Sequence, residues 1–351
     1  MTLRFNYDSL PSRIVFRTGA LDELGVETAR LGSRAFIIST RGQRRLAERC
    51  AELLGDKTVA VYSMAVMHTP ADSVRAACAE AVRLQADCIV AIGGGSTIGL
   101  AKGIAVHHRL PILAVPTTYS GSEVTSIWGQ TENGIKHVAR DPNTQPRIVL
   151  YDPLLTLGLP PGISGPSGIN AIAHCVEALY SETANPLVSL MAEEGIRALA
   201  RSLPTVVTQP RDVGARSDAL YGAWLGGHVL GAVGMALHHK LAHVLGGAFN
   251  LPHAETHTIV LPHAMAYNAA AAPEAARRVA AALGAQDAAQ GLFDLNLSIG
   301  AWVALKDIGM PEDGIERAVE LATANPYYNP APVRADGIRQ LLRNAWEGKR
   351  P

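Results

Sequence analysis

Six of the chain's twelve histidines fall between His238 and His263. Within this stretch His239 and His243 are four residues apart, the spacing that puts two side chains on one face of a helix. His253 follows in Leu251-Pro252-His253, after the pair Gly246-Gly247, which reads as a turn able to fold His253 back towards His243. Earlier, Asn170 and His174 share the same four-residue spacing in GINAIAHCVEAL. A lone histidine is usually a satisfied core or surface residue. Imidazoles gathered from several segments point instead to acid/base chemistry or to a metal site.

A second chemistry is written in glycines and hydroxyls. Gly93-Gly94-Gly95-Ser96 directly follows the apolar run Asp87 to Ile92 and precedes a helical pattern. Glycines allow close backbone approach to a pyrophosphate, and a helix N-terminus offers unpaired N–H groups and a positive dipole end. Val115-Pro116-Thr117-Thr118-Tyr119-Ser120-Gly121-Ser122-Glu123 follows another apolar run and concentrates hydroxyls at the same sheet end. Gly93, Gly94, Gly95, Ser96, Thr117, Thr118 and Ser122 are therefore the expected contacts of a nucleotide.

The elements that must carry these residues are legible in outline. Arg13 to Phe16, Arg34 to Ser39, Lys57 to Tyr62, Asp87 to Ile92, Pro111 to Val115 and Ile148 to Tyr151 read as strands. Gln43 to Leu54, Ala71 to Leu84 and Ile98 to His107 read as helices between them. Such alternation predicts a parallel sheet covered on both faces, a Rossmann-like domain. Asp152 to Pro166 is rich in Pro and Gly and reads as a linker. Beyond it, Ala171 to Tyr180, Val188 to Ser202, Asp212 to Leu230, Ala236 to Ala248, Pro273 to Leu283 and Ser298 to Ile308 read as helices. The expectation is a dinucleotide-binding domain over residues 1–157 and a helical catalytic domain over 158–351, with the ligand site in the cleft between them.

Lys plus Arg number 31 and so do Asp plus Glu, so the balance gives no reason to expect nucleic acid as a partner. No apolar run approaches the roughly 20 residues of a membrane-spanning helix, and the first ten residues hold no apolar signal core. Cys50, Cys78, Cys88 and Cys175 show no paired spacing and are expected to be buried thiols in a reducing cytoplasm.

Over most of its length the sequence resembles the iron-type, or group III, alcohol dehydrogenases. The resemblance rests on the Gly93 loop with Ala101-Lys102, on Pro116-Thr117-Thr118 with Gly121-Ser122-Glu123, and on Asp152-Pro153 and Pro160-Pro161. It continues through the Asn170 to Tyr180 segment, the His243 to His253 segment and Leu261-Pro262-His263. It implies an α/β N-terminal Rossmann-like domain plus an all-α C-terminal domain, the dehydroquinate synthase-like fold, commonly assembled as a homodimer. It also implies that His174, His243 and His253 match the family's metal-site histidines and act in catalysis. Two departures stand out. Asn170 occupies the position of the family's metal-binding aspartate, and Gly99 stands where the family places another aspartate. STIGLAK, PTTYSGSE and HHKLAHVLGG look like the maleylacetate-reducing branch, which implies reduction of a small dicarboxylate enone by NADH or NADPH with no essential metal. Asn170, Tyr119, Lys240 and Lys136 are candidate substrate contacts. Thr40, followed by Arg41, stands where many NAD-selective relatives carry an aspartate, so acceptance of both cofactors is expected. The alternatives at this stage are a metal-dependent alcohol or polyol dehydrogenase, a dehydroquinate-synthase-like lyase and a nucleotide sensor without turnover.

Overall fold

A computed structural model describes Phe5, Tyr7 and residues 12–132, 135–325 and 327–351, without the side chains of Ile135 and Lys136. The chain divides into two compact units, one of Ser9–Gly158 and one of Leu159–Pro351 together with Met1–Asp8. Tyr7 joins the helical unit, its hydroxyl lying 2.9 Å from His228 Nε2.

The first unit holds eight described strands: β1 (Arg13–Phe16), β2 (Ala35–Ile38), β3 (Thr58–Tyr62), β4 (Cys88–Gly93), β5 (Ile112–Pro116), β6 (Ile127–Glu132), β7 (Ile135–Arg140) and β8 (Ile148–Tyr151). Six form one sheet in the order β1-β8-β5-β4-β2-β3, every neighbouring pair parallel. Helices α1 (Leu24–Thr28), α2 (Arg44–Leu54), α3 (Ala71–Arg83) and α4 (Gly95–His108) belong to the same unit. Strands β2, β4, β5 and β8 are buried along their whole length, which is why they read as unbroken apolar runs rather than alternating ones. Each fully buried Ile, Leu or Phe there contributes about 1.5–3 kcal/mol. The remaining two strands form an antiparallel hairpin that the sequence reading did not anticipate.

The second unit is helical: α5 (Pro161–Leu179), α6 (Pro186–Thr208), α7 (Val213–Ala232), α8 (Leu237–Phe249), α9 (His253–Ala269), α10 (Pro273–Leu283), α11 (Ala288–Ser298), α12 (Gly314–Thr323) and α13 (Ala335–Glu347). Several expectations need correction here. The segment read as a linker already contains the first turns of α5, which begins at Pro161 with proline in its favoured first position. Ser298 to Ile308 is not a helix: α11 ends at Ser298, and only Leu305–Ile308 forms a short 3-10 turn. Gly246 and Gly247 do not turn the chain but lie inside α8. The reversal is made by Asn250, at φ 53°, followed by Leu251-Pro252. Helix α9 was not foreseen, because Pro262 stands within it. Proline removes the N–H that would bond the carbonyl of Thr258. Asn296 of α11 supplies the missing donor, its Nδ2 lying 2.8 Å from that oxygen.

No single described helix is long and apolar enough to cross a membrane. All four cysteines are buried and unpaired.

Candidate active site

In the α/β unit, adjacent strands bring three loops to one edge. Ile38 of β2 pairs with Ala91 of β4, and Gly93 of β4 pairs with Pro116 of β5. The residues that follow these strands, Thr40, Gly94 to Ser96 and Thr117 to Ser122, therefore emerge at neighbouring carboxyl ends. The chain leaves β2 for β3 on one side and β4 for β5 on the other, the switch point at which open α/β sheets bind ligands. Gly93 adopts φ 146°, a conformation that L side chains rarely take. A Cβ on Gly94 would lie 2.8 Å from both Cγ2 and Oγ1 of Thr118, so the Gly94 and Thr118 loops touch and a larger residue would push Thr118 aside. Gly94 caps α4 without a side-chain hydrogen bond, leaving the first N–H groups of that helix to a ligand. Gln43 Nε2 donates to Thr117 Oγ1 at 3.3 Å and ties the third loop to the same edge.

Lys102, on α4, is fully buried, and its ammonium donates to the carbonyls of Ser122, Thr125 and Ile127, each at 2.7 Å, and to Thr125 Oγ1 at 3.0 Å. Burial pulls its pKa down to about 7. Burial also raises the carboxyl of nearby Glu123, which accepts from Tyr151 Oη at 2.9 Å. This lysine pins the hydroxyl loop and the start of β6 to the helix that follows the glycines. Sequence reading quoted Lys102 as a motif residue without assigning this role, which needs the hairpin to be seen. A Cβ on Gly99 would lie 2.5 Å from Thr69 Oγ1, so the aspartate that relatives carry at this position has no room here unless Thr69 moves. Tyr119 is wholly buried in this unit. Lys136 lies on β7, and its side chain is outside the described residues.

In the helical unit, three helices deliver residues at helical spacing: Asn170, His174 and Glu177 from α5, His239 and His243 from α8, and His253 and His257 from α9. His239 is at the centre. Its ring centroid lies 5.0 Å from that of His174, 4.9 Å from His257, 5.2 Å from His238 and 6.2 Å from His243. His243 and His253 stack at 6.3 Å, and His253 lies 4.4 Å from His257. The predicted trio His174, His243 and His253 thus belongs to a larger group that also includes His238, His239 and His257. His243 and His253 form its exposed end, whereas the other four rings are buried. Burial first, then the neighbouring imidazoles, push His174, His238 and His257 well below the ordinary histidine range.

Glu177, wholly buried, meets this group from α5. Its Oε2 accepts from Ala236 N at 2.9 Å and lies 2.7 Å from His239 Nδ1, and its Oε1 accepts from His238 N at 2.7 Å. It thereby caps α8, whose own N-cap residue offers no side chain for the task. The sequence carries one signal for it, the i, i+3 spacing from His174. Lys240, the candidate carboxylate contact, is half-buried on α8 with Nζ 5.6 Å from the centre of the Tyr327 ring.

The family models for the N-terminal part, iron-containing alcohol dehydrogenase, and for the Fe-containing alcohol dehydrogenase family, C-terminal, match residues 11–153 and 166–346. The chain belongs to the iron-containing alcohol dehydrogenase family. Among curated members of this family, it is 55% identical to a maleylacetate reductase of Sphingobium indicum over 349 residues, covering 99% of each chain. It is also 55% identical to a maleylacetate reductase of Burkholderia cepacia over 348 residues, again covering 99% of each. The crystal structure of maleylacetate reductase from Agrobacterium tumefaciens superposes with a TM-score of 0.97 at 50% identity, covering all of both chains.

The family name implies a metal, and the donor set can be tested against one. Ligand atoms of His238, His239 and His257 lie within 4.8 Å of one another, and the oxygen Oδ1 of Asn170 and the nitrogen Nε2 of His239 are buried without a hydrogen-bond partner among the described residues. Glu177, by contrast, spends both oxygens on two backbone N–H groups and His239 Nδ1. The residues suit a cation that accepts imidazole nitrogen, such as Zn²⁺, and lack the free carboxylate that a harder ion such as Fe²⁺ prefers.

Proposed function

We propose that this chain is a maleylacetate reductase: it transfers hydride from NADH or NADPH to the C=C bond of maleylacetate and forms 3-oxoadipate. One observation carries the reading, the 55% identity to curated maleylacetate reductases along 99% of both chains. In this reading the α/β unit binds the cofactor through Gly93, Gly94, Gly95, Ser96, Thr117, Thr118 and Ser122, and the histidines of the helical unit meet the substrate. Hydride adds to the alkene carbon β to the ketone, the electron pair moves to the ketone oxygen as an enolate, and a proton closes the α carbon. His243 and His253, the exposed pair, stand nearest the reacting atoms, with His174 beside them and Asn170 and Lys240 as substrate contacts. An imidazolium or neutral N–H donor at the enolate oxygen stabilises its charge, and a histidine or water supplies the proton.

The reaction proceeds without an essential cation in this reading. A conjugated acceptor spreads its charge over several atoms and needs a Lewis acid less than a simple ketone does. Asn170 also removes one negative charge from the ligand set. A cation bound here would be held by imidazoles such as His238, His239 and His257 and would polarise a carbonyl. The spacing of those three rings is the observation that favours the second reading, a metal-dependent alcohol or polyol dehydrogenase. The protein is further proposed to act as a cytoplasmic homodimer on a small dicarboxylate, without nucleic-acid or membrane partners. The deciding assay follows NADH oxidation by maleylacetate, with and without chelator, and identifies the product. Activity that survives chelation is expected. Loss of activity with rescue by Fe²⁺ or Zn²⁺ refutes the metal-free reading, and failure to oxidise NADH at all refutes the reductase.

A further inference from the structure

Among the groups that face the histidine cluster, Glu177 is the one whose hydrogen bonds leave no choice of direction. Its two oxygens receive the backbone N–H of Ala236 and of His238, donors that cannot reverse. A carboxylate meeting two fixed donors offers only acceptors to its third neighbour, so the 2.7 Å contact with His239 runs from Nδ1–H to oxygen. In the neutral ring the other nitrogen, Nε2, carries a lone pair, and among the described residues it is buried with no hydrogen-bond partner of its own.

We propose that Glu177 is the positioning residue of the histidine cluster, holding His239 as its Nδ1–H tautomer with the Nε2 lone pair kept for an electropositive ligand. The proposal rests on the reading that this cluster meets the substrate. It divides the work among the rings. In this tautomer His239 accepts at Nε2, so the atom it takes is a hydrogen-bond donor or a nitrogen-seeking cation. It repels the enolate oxygen, whose stabilisation falls to the other rings. A single carboxylate also serves two ends, since Oε2 orients the ring while Oε1 accepts from His238 N in the first turn of the helix carrying it. Glutamine cannot replace it, because one of its two terminal atoms is an NH₂ and would face an N–H donor whichever way the amide is turned.

The test is long-range ¹H–¹⁵N NMR of histidine-labelled enzyme without substrate, with His239 assigned by comparison with His239→Asn. The expected wild-type signature is protonated Nδ1 and bare Nε2. Glu177→Gln is expected to move the ring towards the Nε2–H form and to lower kcat roughly 10–100-fold, with the KM for NADH unchanged. Wild-type His239 bearing its proton on Nε2 overturns the proposal, as does a Glu177→Gln spectrum with the tautomer intact. Should that variant not fold, the wild-type spectrum alone decides. Because the spectrum needs no substrate, an enzyme with the expected tautomer that fails to reduce maleylacetate refutes the proposed reaction and leaves the role of Glu177 standing.

Discussion

His238 Nε2 lies 2.9 Å from His257 Nδ1, and both rings are fully buried. One of them donates and the other accepts, which both do while neutral. His174, His257 and His238 share depressed pKa values, and burial holds His263 near 4. The sign of the pH effect follows. Below the unfolded-state pKa of about 6.5, the unfolded chain binds protons that the native chain refuses. The stability that these groups contribute is therefore fully present above about pH 6.5 and is lost as pH falls towards the native values. For His263 alone the loss approaches about 3 kcal/mol by pH 4. Calorimetric Tm values should fall steadily from pH 7 to pH 5, and a flat profile would show that these rings titrate normally.

Gly94→Ala should place a methyl group against Thr118. The expected result is a destabilisation of about 1–3 kcal/mol and a large rise in Kd for NADH, read by fluorescence titration. Adding Thr118→Ala removes the two closest clashing atoms and should recover most of the stability. An unaltered NADH affinity in Gly94→Ala would remove this loop from the cofactor site.

Lys102→Met keeps most of the length of the side chain but takes their donor from the carbonyls of Thr125 and Ile127, while Ser122 O still accepts from Thr125 N and Oγ1. Each unmade hydrogen bond costs about 1–3 kcal/mol. Urea denaturation should show a loss of at least roughly 2 kcal/mol, and the surviving fraction should bind NADH weakly because the hydroxyl loop loses its anchor. A near-native midpoint would mean that water replaces the ammonium without cost.

Thr40→Asp should shift selectivity towards NADH. A carboxylate at the end of β2 can bond a ribose 2′-OH and repels a 2′-phosphate. The ratio of kcat/KM for NADH over NADPH is expected to rise at least about tenfold, which corresponds to about 1.4 kcal/mol. An unchanged ratio would place the ribose elsewhere.

His243→Ala and His253→Ala should each lower kcat by about 100-fold or more while NADH still binds. Near-normal turnover in both would exclude the exposed pair from the chemistry.

The α/β unit was legible because its signals are local. Runs such as RAFIIS and DCIVAI are continuous where both sheet faces are covered, and the glycines stand directly after one of them. The hairpin of β6 and β7 escaped notice because its residues alternate weakly and it lies outside the main sheet. Helix α9 was hidden by Pro262, whose cost is met from α11, far away in sequence. The same limit applied to the histidines. Spacing placed His239 and His243 on one face, yet nothing local distinguishes His239, at the centre, from His243, at the exposed end. That ranking depends on Glu177 of α5, and a carboxylate in an amphipathic pattern gives no sign of which helix it will cap.

Helix α9 runs through Pro262 only because Asn296 gives its amide to Thr258 O. Losing the asparagine while the proline remains would strand a carbonyl in the core, whereas an N–H restored at position 262 could share that oxygen with the asparagine, since a carbonyl has two lone pairs. Drift at these two sites is therefore coupled. Among descendants of one ancestor the asparagine should not be lost while the proline stands, a constraint on order of change that owes nothing to catalysis.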